Sequence, residues 1–133
     1  MNSIVGTWRL VRVEAFDADG KPQANAYGGA PMGRLMLTNG GRMMAMTGDG
    51  RPTLPAGQVR EYNTYAGTYT FDGKRLVTRV DSSSNPAYMG TDQVRDVGHD
   101  GALMVLRPPL RTYAGRPPEQ RVLYWEQLSE VDG

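Results

Sequence analysis

Residues 65–82, YAGTYTFDGKRLVTRVDS, consist of two runs of β-forming residues on either side of Asp72-Gly73. An Asp-Gly pair between such runs is a strong signal for a tight hairpin turn, because both positions tolerate positive φ. Asp100-Gly101 and Asn39-Gly40-Gly41 separate similar runs elsewhere in the chain. The sequence therefore predicts a series of β-hairpins joined by short turns.

The same pattern covers the whole chain and predicts eight strands. The predicted strands are residues 4–16, 33–38, 42–47, 65–71, 75–82, 91–97, 102–106 and 119–128. Residues 58–64 are expected to form a short helix or a turn, and nothing else is long enough for a helical crossover between parallel strands. We expect an all-β fold in which the eight antiparallel strands run up and down and close into a barrel, since closure removes exposed edges. Residues 1–133 are expected to form this single domain.

The alternation of residues in the first run assigns side chains to two faces. Trp8, Leu10, Arg12 and Glu14 are predicted on one face of this strand, and Thr7, Arg9, Val11 and Val13 on the other. With eight strands, the interior of such a barrel is either filled by side chains or wide enough for one small ligand.

The composition argues against several kinds of site. The 133 residues include no cysteine and a single histidine, His99, so disulfides, thiolate nucleophiles and sites with two imidazoles are excluded, and neither a metal nor a cofactor is expected. The 15 basic and 14 acidic residues leave a net charge of +1 without a basic block, which argues against nucleic acid as a partner. The longest uncharged stretch, residues 22–33, is too polar to span a membrane, so we expect a cytoplasmic protein with no membrane partner.

Four segments carry a resemblance to a known family. They are VGTWRLV at residues 5–11, NGGRM at 39–43, AGTY at 66–69 and SNPAYMGTDQVR at 84–95. In this order they resemble the bacterial lipocalin-like domain family. The resemblance implies a small eight-stranded barrel with an internal cavity, in agreement with the spacing of the turns.

The resemblance also implies structural roles for Gly6, Trp8 and Arg121. In lipocalins an early tryptophan packs at the closed end of the barrel beneath an arginine from the last strand, and Trp8 and Arg121 hold the matching positions. A guanidinium over an indole contributes about 0.5–2 kcal/mol. Relatives often carry histidine where this chain has Thr78, so a histidine-based activity of relatives does not transfer to it.

Arg95 is the first candidate for contact with a ligand. It shares a strand face with Gln93, and the resemblance favours the inward orientation for this face. An arginine buried in a cavity is costly unless a carboxylate or an anionic ligand compensates its charge. Arg79 presents the same choice on the preceding strand, with Arg79–Asp96 or Arg95–Asp81 as cross-strand pairs. The alternative is that these residues form exposed ion pairs of little energy.

Tyrosine and methionine are expected to supply the wall of the cavity. A tyrosine offers aromatic area with a hydroxyl group, and methionine offers flexible apolar surface. The predicted lining residues are Tyr65, Tyr69, Tyr88, Tyr124, Met44 and Met46. For the methionines, plain core packing is the alternative.

The sequence is compatible with three functions. The first is binding of one small, largely apolar molecule, with a carboxylate or phenolate end facing Arg95 or Arg79. The second is a cofactor-free isomerase, cyclase or hydratase acting on a polyketide-like or terpenoid-like substrate in the same cavity, with a tyrosine and a carboxylate as acid and base. The candidate carboxylates are Glu14, Asp49, Glu61, Asp81 and Asp92, whose spacing singles out none of them. The third is a filled barrel that serves as an interaction module. A homodimer is compatible with exposed Tyr and Met side chains, although no patch specifies one.

Overall fold

A computed structural model describes residues 3–23, 26–112 and 117–129, and within these residues the chain forms eight antiparallel strands that close into a barrel. The strands are β1 (Gly6–Asp17), β2 (Pro31–Leu37), β3 (Arg42–Asp49), β4 (Tyr62–Phe71), β5 (Arg75–Ser83), β6 (Asp92–Asp100), β7 (Leu103–Arg107) and β8 (Glu119–Ser129). Each strand pairs with the next one along the chain, and β8 pairs with β1. The predicted all-β up-and-down barrel is thereby confirmed.

The connections at the two ends of the barrel differ in length. At one end, which we call the turn end, short turns join β2 to β3, β4 to β5 and β6 to β7. Gly73 and Gly101 adopt φ of 96° and 59° in two of these turns, which explains why glycine follows aspartate there. At the other end, which we call the loop end, longer connections contain two short 3-10 turns, Ala26–Gly29 and Pro86–Tyr88. Residues 58–61 form an irregular connection and residues 62–64 belong to β4, so neither the short helix nor the turn predicted over residues 58–64 is observed.

Apolar side chains fill the half of the barrel nearer the turn end. Leu37 and Met104 are fully buried there, and Leu35, Leu76 and Trp8 are nearly so. Each buried side chain of this size contributes about 2 kcal/mol of hydrophobic stabilisation. The interior is therefore packed at the turn end, and an internal cavity lies nearer the loop end.

A bulge in β1 changes which of its side chains face the interior. Leu10 pairs with Trp125 and Arg12 with Tyr124, so one extra residue, Val11, lies in β1 at this point. Trp8 and Leu10 are buried before the bulge, whereas Val13 and Ala15 are buried after it. The predicted face containing Trp8, Leu10, Arg12 and Glu14 is therefore wrong beyond Leu10, because a bulge shifts the two-residue period by one position.

Candidate ligand-binding cavity

An internal cavity of about 50 Å³ lies in the half of the barrel near the loop end. Its apolar wall consists of side chains that strands β2, β3, β7 and β8 and the β7–β8 connection direct inward: Leu35, Ala45, Leu106, Pro108, Leu123 and Trp125. Its polar wall consists of Tyr27, Thr47, Asn63, Tyr65, Arg95, Arg111 and Arg121. A water molecule needs about 10–15 Å³ of such space, so the cavity holds a group of a few heavy atoms.

Arg95 is buried in this cavity, and the described part of the chain gives it no acidic partner. Only 7% of its surface is exposed, and among the described residues no carboxylate forms an ion pair with it. Its guanidinium donates to the backbone oxygen of Val94 at 3.0 Å and, at 3.4 Å, to Oε1 of Gln93. The Tyr65 ring lies 5.7 Å away from the guanidinium carbon. Neutral oxygens and an aromatic ring thus surround a full positive charge.

Trp125, which also lines this cavity, has a buried hydrogen-bond donor that the described residues leave unpaired. The residue is 2% exposed, and its indole Nε1 has no hydrogen-bond partner in the described part of the chain. A buried N–H without a partner costs about 1–3 kcal/mol. Arg95 and Trp125 therefore offer two hydrogen-bond donors whose pairing within the protein is incomplete.

Arg121 lies in the same cavity with its charge compensated. Its guanidinium donates to Glu61 at 2.8 Å and to Glu119 at 3.2 Å. The guanidinium carbon also lies 5.0 Å from the centre of the Tyr27 ring. Burial raises the pKa of the Tyr27 phenol, whose hydroxyl is hydrogen-bonded to Thr47 at 2.8 Å. The two buried arginines thus differ sharply in their surroundings.

A second, wider space of about 400 Å³ opens at the loop end, and we call it the vestibule. Its wall is largely polar and consists of Tyr27, Glu61, Tyr62, Asn63, Ser84, Asn85, Pro86, Tyr88, Thr112 and Arg121. Tyr27, Asn63 and Arg121 line both the vestibule and the internal cavity. The vestibule and the internal cavity therefore adjoin, and these three residues lie between them.

Comparison with protein families gives a match over almost the whole chain: the family described as "Lipocalin-like domain" matches residues 5–128. The chain belongs to the lipocalin-like domain family. No curated protein and no solved structure is significantly similar to it. None of the helices in the described residues is both long enough and apolar enough to cross a membrane.

The lipocalin-like domain brings three of the predicted ligand-binding residues to the cavity region. Arg95 and Tyr65 line the cavity, and Gln93 is buried beside Arg95 on the inner face of β6, the orientation that the resemblance favoured. Oε1 of Gln93 also accepts a hydrogen bond from Arg111 at 3.2 Å, and Arg111 donates to the hydroxyl of Tyr88 at 3.0 Å. Tyr88 thus lies in the vestibule wall rather than in the internal cavity.

Tyr69 is directed toward the packed end of the barrel. Its ring packs against the hydrophobic core, and its hydroxyl donates to the backbone oxygen of Thr38 at 2.7 Å. Thr38 follows β2 at the turn end. Tyr69 therefore belongs to the core of the lipocalin-like domain and does not line the cavity.

Four predicted lining residues lie on the outer face of the barrel. Met44 is 60% exposed, and Met46 lies on the same face of β3. The residues on the opposite face, Ala45 and Thr47, line the cavity. Both faces of β3 carry apolar side chains, so hydrophobicity alone cannot choose between them. Tyr124 alternates with Leu123 and Trp125, and its hydroxyl donates to Glu14 at 2.5 Å outside the lumen. Arg79, the fourth, is exposed.

The predicted cross-strand ion pairs involve other partners. Arg79 pairs with Asp92 at 3.2 Å, Arg75 with Asp96 at 3.4 Å and Arg42 with Asp81 at 4.0 Å. The strand register decides this, because Arg79 lies opposite Asp92 and Arg75 opposite Asp96. The predicted pairs Arg79–Asp96 and Arg95–Asp81 are therefore wrong, and the observed pairs are exposed ones of small energy.

The expected contact between Trp8 and Arg121 is also wrong. Trp8 lies opposite Gln127 and Arg121 opposite Ala15, so the two are about 20 Å apart along the β1–β8 pair. The Trp8 indole donates instead to the backbone oxygen of Ile4 at 3.0 Å, within the packed end. Gly6 begins β1 with φ of 140°, a backbone conformation that favours glycine.

Tyr27, Trp125 and Arg111 are among the cavity residues that the sequence analysis missed. Tyr27 lies in a glycine-rich connection without periodicity, where its only signal is an aromatic residue followed by two glycines. The sequence indicates the position of Trp125 more clearly, since the residue lies on the same face of β8 as Arg121. Arg111 lies within a proline-rich connection, and nothing in its sequence neighbourhood indicates that it reaches Gln93.

The candidate carboxylates and His99 lie outside the internal cavity. Asp49 is buried beside Arg51, whose hydrogen bonds lower the pKa of this carboxyl group. Glu61 lines the vestibule, where it pairs with Arg121. His99 is exposed near the turn end. Among the described residues, the wall of the cavity contains arginine and tyrosine but no carboxylate.

Proposed function

We propose that this lipocalin-like domain binds one small organic molecule with an anionic group, such as a carboxylate, in the internal cavity. The observation that carries the proposal is Arg95, a buried guanidinium with no ion-pair partner among the described residues. An anion beside it would remove the cost of burying an uncompensated charge. The indole N–H of Trp125 would supply a second hydrogen bond to the ligand.

The size and lining of the cavity limit the rest of the ligand. Leu35, Leu106 and Leu123 favour a compact apolar body next to the anionic group. The cavity of about 50 Å³ is well below the roughly 300 Å³ of a pocket for a drug-sized ligand. We therefore propose a short organic acid rather than a large hydrophobic ligand.

Binding is favoured over the enzymatic alternative by the position of the carboxylates. General acid–base chemistry with a tyrosine would need a carboxylate within reach of the substrate. Among the candidate carboxylates in the described residues, Glu61 lines the vestibule and is held by Arg121 at 2.8 Å. The hydrogen bond from Arg121 occupies a carboxylate oxygen of Glu61, and Glu61 does not line the internal cavity, so it is not placed to take a proton from a ligand bound there.

The test compares short acids with neutral analogues of the same shape. Thermal unfolding is followed in the presence of propionate or isobutyrate, and of propionamide or isobutyramide. At ten times Kd a ligand of the native state adds about 1.4 kcal/mol of stability. We expect stabilisation by the acids and not by the amides.

Arg95→Met should abolish this stabilisation, whereas Arg79→Met, which removes an exposed guanidinium from the outer face, should retain it. The proposal fails if acids and amides stabilise the protein equally. It also fails if Arg95→Met responds to the acids as the unmodified protein does.

A further inference from the structure

We propose that Tyr27 sets the upper size limit of the ligand, because its ring separates the internal cavity from the vestibule. This inference rests on the proposed function and adds a residue that determines specificity. It predicts that a smaller side chain at this position joins the two spaces into one larger site.

Tyr27 lies between the two spaces and lines both of them. Among the described residues that line both spaces, Asn63 lies on β4 and Arg121 on β8, so the paired strands of the barrel fix their backbones. Glu61 and Glu119 also hold the guanidinium of Arg121. Tyr27 lies instead on a short 3-10 turn, so it is the part of this boundary that does not belong to the barrel wall.

Several contacts hold the Tyr27 ring in the lumen of the barrel. Tyr27 is 5% exposed although it lies in a connection at the loop end. Its hydroxyl is hydrogen-bonded to Thr47 of β3 at 2.8 Å, and Arg121 lies 5.0 Å from its ring. The ring is therefore a fixed part of the cavity wall.

The backbone of Tyr27 adopts an unusual conformation. Its φ of 57° and ψ of 32° lie in the left-handed region, which is unfavourable for a residue with a Cβ atom. The next residue, Gly28, has φ of 63°, and a Cβ atom there would lie 2.2 Å from Cζ of Arg51. Glycine thus lets the turn lie against Arg51, which Asp49 holds through hydrogen bonds of 2.6–3.1 Å. An unfavourable conformation that contacts on both sides maintain is a common feature of functional positions.

The size limit has a measurable consequence for a series of straight-chain acids. Each methylene group buried against the apolar wall improves binding about fourfold, equivalent to about 0.8 kcal/mol. The improvement stops at the chain length that meets the Tyr27 ring, because a longer chain must displace the ring or remain outside. Without the ring, the chain continues into the vestibule.

The experiment measures the Kd of acetate, butyrate, hexanoate, octanoate and decanoate by isothermal titration calorimetry. For the unmodified protein we expect affinity to rise and then fall, with an optimum among the short acids. Tyr27→Ala should move the optimum to longer chains by two or more methylene groups. At that length it should bind at least tenfold tighter than the unmodified protein.

Three further variants make the result specific to the ring. Tyr27→Phe keeps the ring without the hydroxyl and should retain the original optimum. Tyr62→Ala removes a tyrosine that lines only the vestibule and should also retain it. Tyr27→Leu keeps an apolar side chain in the lumen and should give an intermediate optimum, which tests the inference even if Tyr27→Ala does not fold.

Two negative results are distinguishable. If the unmodified protein binds short acids and both smaller variants keep its optimum, the role of Tyr27 is refuted and the proposed function stands. If neither the unmodified protein nor the variants bind any acid, both are refuted.

Discussion

Two buried arginines of this barrel are expected to respond in opposite ways to replacement by methionine. Arg95 is 7% exposed and pairs with no described carboxylate, whereas Arg121 has a 3% exposed side chain and pairs with Glu61 and Glu119. Methionine removes the charge and keeps an unbranched side chain in each position. Arg95→Met should stabilise the ligand-free protein, and Arg121→Met should destabilise it.

The size of each effect depends on which groups lose a hydrogen-bond or ion-pair partner when the guanidinium is removed. Arg95 gives up hydrogen bonds of 3.0 and 3.4 Å to neutral oxygens, and replacement of such a buried charge by an apolar side chain gains about 1–3 kcal/mol. Arg121→Met leaves Glu119, whose side chain is 5% exposed, without its partner, at a cost of about 3–5 kcal/mol. For a domain of this length, 1 kcal/mol corresponds to roughly 3–5 °C in Tm.

Urea unfolding followed by tryptophan fluorescence measures both effects, since Trp8 and Trp125 are buried and should change their emission on unfolding. Equal m-values for the three proteins would show that the unfolding transitions are comparable. A loss of stability in Arg95→Met similar to that in Arg121→Met would refute the argument, because it would mean that the charge of Arg95 is already compensated in the ligand-free protein.

Two other predictions concern residues of strands β3 and β4, Asp49 and Gly67. Arg51 lowers the pKa of Asp49 through hydrogen bonds, so the stabilisation from this carboxylate is present above its unfolded pKa of about 3.9 and is lost as pH falls through the lower folded value. The stability advantage of the unmodified protein over Asp49→Asn, measured by urea unfolding, should therefore shrink below about pH 4. A constant difference down to pH 2 would contradict this prediction. Gly67→Ala should lower the free energy of unfolding by about 3 kcal/mol in the same assay, because its Cβ atom would lie 1.9 Å from the backbone oxygen of Arg79. Gly40→Ala, whose Cβ atom would have its nearest neighbour at 3.9 Å, should cost far less. Equal losses of stability in the two variants would contradict the steric explanation.

The barrel could be predicted from the sequence because its hairpins are local. Asp72-Gly73 and Asp100-Gly101 lie in turns between consecutive strands, so each pairing is encoded within about 20 residues. The inward orientation of Gln93 and Arg95 could be anticipated only with the help of the family resemblance, since polar residues alternate with apolar ones on both faces of β6.

Side-chain directions were harder to predict where a strand loses its two-residue period, or where the two faces of a strand do not differ in hydrophobicity. The bulge at Val11 reverses the faces of β1, and a local period cannot detect an inserted residue. In β3, methionines occupy both faces, and the choice is made by pairing with β2, where Met36 lies opposite Met44 and Leu35 opposite Ala45. In β2 and β3, leucine is buried more consistently than methionine, and this difference was the signal in the sequence that could have indicated the inward face.

The candidate site was the least predictable part because loops supply much of it. Tyr27 and Arg111 come from irregular connections, and their contacts with Thr47 and Gln93 join residues about 20 positions apart without a periodic pattern. The pairing of Arg121 with Glu61 spans 60 positions. Such contacts depend on the finished barrel, so they could not be read from neighbouring residues.

The seam between β1 and β8 bears on how the molecule reaches its native state. The other strand pairings join neighbours along the chain, whereas Thr7 at this seam lies opposite Ser129, more than 100 residues away. Loop-closure entropy opposes such a distant contact until the intervening hairpins have shortened the path between its two sides. Until the seam forms, both outer strands present free N–H and C=O groups to other copies of the chain, so weakening this seam should promote aggregation during refolding more than weakening any single hairpin.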